Sequence, residues 1–305
     1  ALVVRERILG PVHPETSYYI RYRGAKYADA GKYDRCIELW NYALDMQQSM
    51  LEPLNLMTQS SLFSFIELFG QMGGEEGRQT GRTREIPPAK TEDLMRVFNK
   101  AVREVRLGKQ MLDKVPIHDR DPTNLDKILT MTLHLARLLT RDMPPAGSQE
   151  FYDLHKAIHE LVKINAKDKD GRDVLQITHN VEASIDTNYP TGKLSSPQLS
   201  RALLRAGADP TAVDDAGNTA LHLIAISQPW RSDLATILLE AGAHIDAINS
   251  MGETYRSLLD DDAKYNLVRP LKYTSLQCLA ARAVREARIQ MQVVPYHLRD
   301  FVCNH

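Results

Sequence analysis

Apolar residues recur every three or four positions through most of the chain, a spacing that predicts amphipathic helices. One helix is predicted at 18–30, and another follows the Gly-containing turn at 31–34. The segment at 1–6 is echoed 42 residues later, at 43–48. Two helices joined by a turn and repeated at a fixed interval are typical of repeat arrays. We therefore expect an all-α helical-repeat solenoid.

The first part of the chain resembles the long, 42-residue form of the tetratricopeptide repeat, through residues 7–11, 13–14 and the aromatic and small positions that follow. We expect tetratricopeptide-like helical repeats at 1–72, a mobile linker loop rich in Gly, Pro and charge at 73–90, and a helical extension at 91–150. Because a single repeat cannot bury both of its faces, we also expect the chain to be the carboxyl-terminal portion of a longer protein.

The period changes after residue 150. Gly207 and Gly242 are 35 residues apart, as are Gly217 and Gly252. The segment 217–222 resembles the ankyrin repeat, which implies that His222 forms hydrogen bonds within its turn. Segments 171–178 and 252–259 are degenerate versions. We expect about three ankyrin repeats at 151–265, the last acting as a cap.

Composition narrows the classes of partner. The 38 Lys and Arg nearly balance the 39 Asp and Glu, which argues against a nucleic-acid or membrane partner. No apolar run approaches the roughly 20 residues that a membrane span needs, and no signal-peptide pattern opens the chain. Three widely spaced cysteines are typical of reduced thiols in an intracellular protein. We expect a cytoplasmic protein, with the nucleus as a second location.

Few residues suggest chemistry. His155 and His159 have a helical metal-ligand spacing, but neither the metalloprotease Glu nor a nearby Cys accompanies them. Cys36 and Cys278 would need a positioned His to act as nucleophiles, which a sequence alone does not show. No Gly-rich phosphate loop is present. We therefore expect no catalytic residue, no metal and no cofactor.

The last segment, 274–303, begins with a helix that Thr274 or Ser275 can cap. At about 100° per residue, Leu276, Ala280 and Val284 share one apolar face. A helix that simply packs on its own domain would give the same stripe. The order of residues nevertheless resembles the BC box that binds elongin C, with Ala280 in place of its usual Cys.

A second short pattern follows in the same segment. Pro295, preceded by an aliphatic residue and followed by Leu298 and Val302, resembles the companion cullin-selecting box. Together the two boxes predict a von Hippel-Lindau-type box at 266–305. Their order behind ankyrin repeats resembles the Fem (feminisation-protein) family of substrate receptors for cullin–RING E3 ubiquitin ligases.

This resemblance implies a non-catalytic receptor subunit that targets proteins for ubiquitination and proteasomal degradation. Its expected partners are elongin B/C, a cullin scaffold with its RING protein, and protein substrates bearing carboxyl-terminal degrons, which an amino-terminal part missing here would mainly bind. The elongin-binding residues would be Leu276, Leu279, Ala280, Ala283 and Val284, and the cullin-binding residues Pro295, Leu298 and Val302. Two alternatives remain open: a non-catalytic ankyrin and tetratricopeptide interaction scaffold without ligase association, and an enzyme carrying repeat arms, which would need a convergent polar pocket.

Overall fold

The computed structural model describes residues 7–10, 13–73, 86–180, 194–227, 230–259, 273–303 and 305. The structure is 67% helical, and none of these residues forms part of a strand. The predicted all-α class of helical-repeat protein is thereby confirmed. The chain divides into two compact units, one made of residues 1–166 and 185–193, the other of 167–184 and 194–305.

The first unit consists of helices packed side by side. Its described helices are α1 (Pro14–Asp29), α2 (Tyr33–Met50), α3 (Leu56–Gly73), α4 (Thr91–Asp113), α5 (Thr123–Arg141) and α6 (Gln149–Ile164), with a 3₁₀ turn at Ile117–Asp119. α1 begins four residues before its predicted start because His13 Nδ1 caps it, accepting a bond from Glu15 N at 3.3 Å. Most of the predicted linker, at 74–85, lies outside the described residues.

Helices α1 and α2 form a hairpin, and a glycine on α1 allows the two helices to pack closely. A Cβ atom on Gly24 would lie 2.5 Å from the Trp40 ring, so only a residue without a side chain allows this contact. The indole Nε1 of Trp40 donates to the Arg21 carbonyl at 2.8 Å. Gly31, with φ of +75°, makes the turn between the helices. The hairpin predicted from the apolar spacing therefore forms.

The second unit has shorter helices separated by tight turns. Its described helices are α7 (Val174–His179), α8 (Pro197–Arg205), α9 (Ala220–Ile226), α10 (Ser232–Glu240), α11 (Tyr255–Leu258), α12 (Leu276–Glu286) and α13 (Tyr296–Cys303). Residues 181–193 lie outside the described residues, as does the start of the predicted box at 266–272.

The same turn occurs three times in this unit. One oxygen of Asp168, Asp214 or Asn249 accepts hydrogen bonds from the backbone N–H groups two and four residues later, at 2.7–3.0 Å. Each turn then passes through a glycine with φ between +74° and +77°: Gly171, Gly217 and Gly252. Backbone bonds also join successive turns, from Asp215 N to Asp170 O and from Ser250 N to Ala216 O.

A reciprocal cap follows each turn and starts a helix. Thr219 and His222 form this cap at α9, where Thr219 N donates to His222 Nδ1 at 3.2 Å. The opposite ring nitrogen, Nε2, lies 3.1 Å from the Glu253 carbonyl of the next turn. The structural role predicted for His222 is confirmed. Asp173 with Gln176, and Thr254 with Ser257, make the equivalent caps in the two degenerate segments.

Candidate docking surface

The first turn of helix α12 is stabilised by a capping residue. Ser275 Oγ accepts a hydrogen bond from Cys278 N at 3.1 Å, so Ser275, rather than Thr274, is the capping residue. On the surface of the helix, Arg282 Nε pairs with Glu286 Oε1 at 2.8 Å. The helix ends at Glu286, Ala287 caps it, and Arg288 adopts a positive φ of 52°.

The two sides of α12 differ sharply in exposure. Cys278 and Ala281 are 1% and 3% exposed and point into the second unit. Leu276 is 86% exposed and Leu279 50% exposed. Ala280 and Ala283 are exposed between them. We call the last four residues the exposed α12 face: Leu276, Leu279, Ala280 and Ala283. It is an apolar surface with a large leucine at one end and small residues along the rest.

The remaining predicted site residues lie at the contact between α12 and α13. Val302, only 5% exposed, forms a buried cluster with Ala281 and Val294. Val284 and Leu298 are half-buried against that cluster. The structure thus gathers three of the predicted residues where the two helices join, whereas Pro295 is exposed at the start of α13.

Two exposed apolar side chains near Pro295 were not singled out from the sequence. Val293 is 74% exposed and Tyr296 85% exposed. They flank the proline and belong to no helical stripe, so the apolar periodicity carried no signal for them. Their exposure extends the apolar surface at the amino-terminal end of α13.

The inner side of α12 meets a cluster of polar side chains. Cys278 Sγ lies 3.3 Å from His244 Nδ1, in the turn after α10, and accepts a hydrogen bond from Ser275 Oγ at 3.0 Å. The His305 ring lies 4.7 Å from that of His244, centroid to centroid. Burial lowers the pKa of His244, which favours its neutral form. Because these residues are far apart in sequence, no local spacing could reveal their meeting.

The other candidates for chemistry lie in different surroundings. Cys36 is fully buried, and its burial raises the pKa of the thiol to about 12, so it is protonated at neutral pH. His155 packs on the Phe151 ring at 4.3 Å between centroids. Its proposed partner His159 is exposed. Among the described residues, the group with metal-ligating geometry is not this pair but His244, Cys278 and His305.

A groove of about 700 Å³ lies between α4 and α6 of the first unit. Basic and acidic side chains both line it, including Arg96, Arg103 and Asp153. Across it, Arg106 Nη2 pairs with Glu160 Oε2 at 2.8 Å. Charges of both signs on exposed helices are typical of solvated surfaces. Among the described residues, no helix is long and apolar enough to cross a membrane.

The geometry defines the class of the protein. An all-α chain with three recurrent capped turns and an exposed apolar helix is a helical-repeat protein with ankyrin repeats, and the ankyrin repeat family matches residues 216–250. This match covers the repeat that the sequence indicated most clearly.

The particular family follows from whole-chain comparisons. The chain is 41% identical to a fem-1 homolog of Drosophila melanogaster over 347 residues, covering 100% of this chain and 52% of that protein. It is 42% identical to fem-1 homolog A of Bos taurus, with 100% and 45% covered, and 40% identical to human fem-1 homolog C, with 100% and 48% covered. The chain belongs to the family of fem-1 homologs. It spans about half the length of these relatives.

Proposed function

We propose that this chain is the adaptor-docking part of a substrate receptor for a cullin–RING ubiquitin ligase. The observation that carries the proposal is the exposed α12 face, where Leu276 is 86% exposed on a helix of eleven residues. Large apolar side chains left in water at this level on a short capped helix favour a partner that covers them. The resemblance of the same residues to an elongin-binding box supports elongin C as that partner.

The small residues along the face support a helix-sized partner. Ala280 and Ala283 leave room for a close approach, while Leu276 and Leu279 provide the apolar area to be buried. Full burial of one leucine side chain contributes about 1.5–3 kcal/mol. Val284 is half-buried against α13, so its proposed contribution is partly to hold α12 in place.

The cullin contact is proposed for the start of α13. Pro295 is exposed, and Leu298 is half-buried beside it. Val302 is almost completely buried, so in this proposal it fixes α13 on α12 instead of touching the cullin. In this proposal, ankyrin repeats outside the 305 residues recognise the carboxyl terminus of substrates. The RING protein and its partner enzyme carry out the transfer of ubiquitin.

Co-expression with elongins B and C tests the proposal. The wild-type chain is expected to copurify with both, whereas Leu276→Asp is expected to weaken binding at least tenfold, because the lost burial exceeds about 1.4 kcal/mol. Gln277→Asp is the matched control, since it adds the same charge in the same turn about 100° around the helix. Acidic residues are favourable in a first helical turn, so neither change should unfold α12.

A third variant tests the alignment with the box. Ala280→Cys restores its usual residue on the exposed α12 face and is expected to tighten elongin binding. Failure of the wild type to bind elongins, or equal binding by Leu276→Asp, would leave the interaction scaffold without ligase association as the better account. A weaker Ala280→Cys complex would contradict the register proposed for the box.

A further inference from the structure

The inner side of α12 brings together three segments that are distant in sequence. His244 and Asp246 lie in the turn after α10, Cys278 in the first turn of α12, and His305 beyond α13. One ligand atom from each of His244, Cys278 and His305 lies within 4.8 Å of the others. Two imidazoles and a thiol form the type of donor set that Zn²⁺ prefers.

The fourth donor is a carboxylate without a hydrogen-bond partner. Both oxygens of Asp246 are buried and accept no hydrogen bond, and Oδ1 lies 3.7 Å from His305 Nε2. His305 Nε2 is likewise buried without a hydrogen-bond partner, on a side chain only 2% exposed. Buried polar atoms of this kind are costly unless something binds them.

The spacing of these atoms suits one tetrahedral ion. Donor atoms on Zn²⁺ lie about 3.3–3.6 Å apart when the Zn–N and Zn–S bonds are about 2.0 and 2.3 Å long. The Cys278 Sγ to His244 Nδ1 distance is 3.3 Å, and that from His305 Nε2 to Asp246 Oδ1 is 3.7 Å. The ligand atoms of His244, Cys278 and His305 already lie within 4.8 Å of one another, whereas the Asp246 carboxylate lies next to His305 and would rotate toward the other two to become the fourth ligand.

The outer contacts of the cluster orient its donors. His305 Nδ1 lies 2.8 Å from the Phe301 carbonyl, which can only accept, so Nδ1 carries a proton and Nε2 is the nitrogen that can offer a lone pair to a metal. Ser275 Oγ donates to Cys278 Sγ at 3.0 Å, an arrangement that stabilises a thiolate ligand. Hydrogen bonds of this kind commonly hold metal-ligating histidines and thiolates in place.

We propose that His244, Asp246, Cys278 and His305 form a structural Zn²⁺ site that fastens α12 and α13 to the turn after α10. On binding, the Cys278 thiol releases its proton to water and a Zn–S bond forms, with no change in oxidation state. A catalytic use of the same Cys–His pair is disfavoured, because Cys278 is 1% exposed and no substrate could reach its sulfur. The proposal does not depend on the ligase role.

Titration of the whole untagged chain, freed of metal by a chelator, tests the site with Zn²⁺ and with Co²⁺. The wild type is expected to bind one Zn²⁺, and its Co²⁺ form to show the absorption of thiolate-to-metal charge transfer. Cys278→Ser and His305→Ala are expected to lower Zn²⁺ affinity by at least about a hundredfold, beyond the 10–100-fold typical of outer contacts. Cys278→Ser should also abolish the charge-transfer absorption.

Matched controls come from α13. Cys303→Ser and His297→Ala remove an exposed thiol and an exposed imidazole from α13 and are expected to leave Zn²⁺ affinity unchanged. Far-ultraviolet circular dichroism of the metal-free variants reports whether they fold. If Cys278→Ser does not fold, His305→Ala and the wild-type Co²⁺ spectrum decide. A wild type that binds no Zn²⁺, a Co²⁺ form without thiolate absorption, or an equal loss in Cys303→Ser would overturn the proposal.

Discussion

The stability of the first unit is expected to depend on one buried histidine. His134 on α5 is 3% exposed, and neither ring nitrogen has a hydrogen-bond partner. Burial, with a smaller effect from the positive charge of Arg137, lowers the pKa of His134 from 6.5 to about 4. The folded chain therefore keeps this ring neutral at a pH where the unfolded chain already protonates it.

The sign and size of the effect follow from this difference. Between pH 6.5 and 4 the unfolded state binds the additional proton, so the free energy of unfolding falls as the pH is lowered. The difference of about 2.5 in pKa corresponds to at most about 3 kcal/mol, nearly all of it lost by pH 4. Above pH 6.5 the ring is neutral in both the folded and the unfolded state, so it causes no loss of stability.

The substitution His134→Leu removes the titrating group while keeping a similar volume. At pH 7.5 it is expected to change the free energy of unfolding by less than about 1.5 kcal/mol. As the pH falls to 4, the free energy of unfolding of the variant should rise by about 3 kcal/mol relative to that of the wild type. Urea unfolding measures this difference, and a Trp230→Phe background leaves Trp40 as the fluorescent reporter in the first unit.

His297→Gln provides the control, because it removes an exposed ring on α13 and lies outside the first unit, whose unfolding Trp40 reports. A constant difference between His134→Leu and the wild type from pH 7.5 to 4 would refute the reasoning. It would mean that the ring is either hydrated in the folded chain or protonated equally in both states.

Two further outcomes are expected within the described helices. Gly24→Ala should destabilise the α1–α2 hairpin by about 1–3 kcal/mol, because its Cβ would meet the Trp40 ring at 2.5 Å; an unchanged melting temperature would contradict that contact. Iodoacetamide at pH 8 should label exposed Cys303 in the native chain but spare Cys36, which is buried and has a pKa of about 12. Mass spectrometry distinguishes the two, and equal labelling would show that α2 opens readily.

Local patterns predicted the helices and turns well, because their causes are local. The apolar period gave the helices of the first unit, and the glycine spacing gave the recurrent turns at Gly171, Gly217 and Gly252. His222 was assigned correctly because its partners, Thr219 and the next turn, are fixed by the repeat itself. These interactions need no knowledge of distant parts of the chain.

The sequence predicted the exposure of individual side chains less well. The stripe of Leu276, Ala280 and Val284 indicated one face but not which side of α12 would be buried, and the structure turns Cys278 and Ala281 inward instead. Val302 matched a docking pattern yet lies in the contact between two helices. Contacts such as that between His244 and Cys278 depend on tertiary packing, for which a single sequence gives no periodic signal.

The two sides of α12 make the two proposals separable. Leu276 and Cys278 are two residues apart, yet one is 86% exposed and the other 1%. If both proposals hold, Leu276→Asp should weaken elongin binding without changing Zn²⁺ affinity, since its side chain points away from the cluster. Cys278→Ser should lower Zn²⁺ affinity by at least about a hundredfold and weaken elongin binding only through a looser attachment of α12. In the wild type, a chelator should weaken elongin binding reversibly, because Zn²⁺ that binds only the folded arrangement stabilises it by mass action.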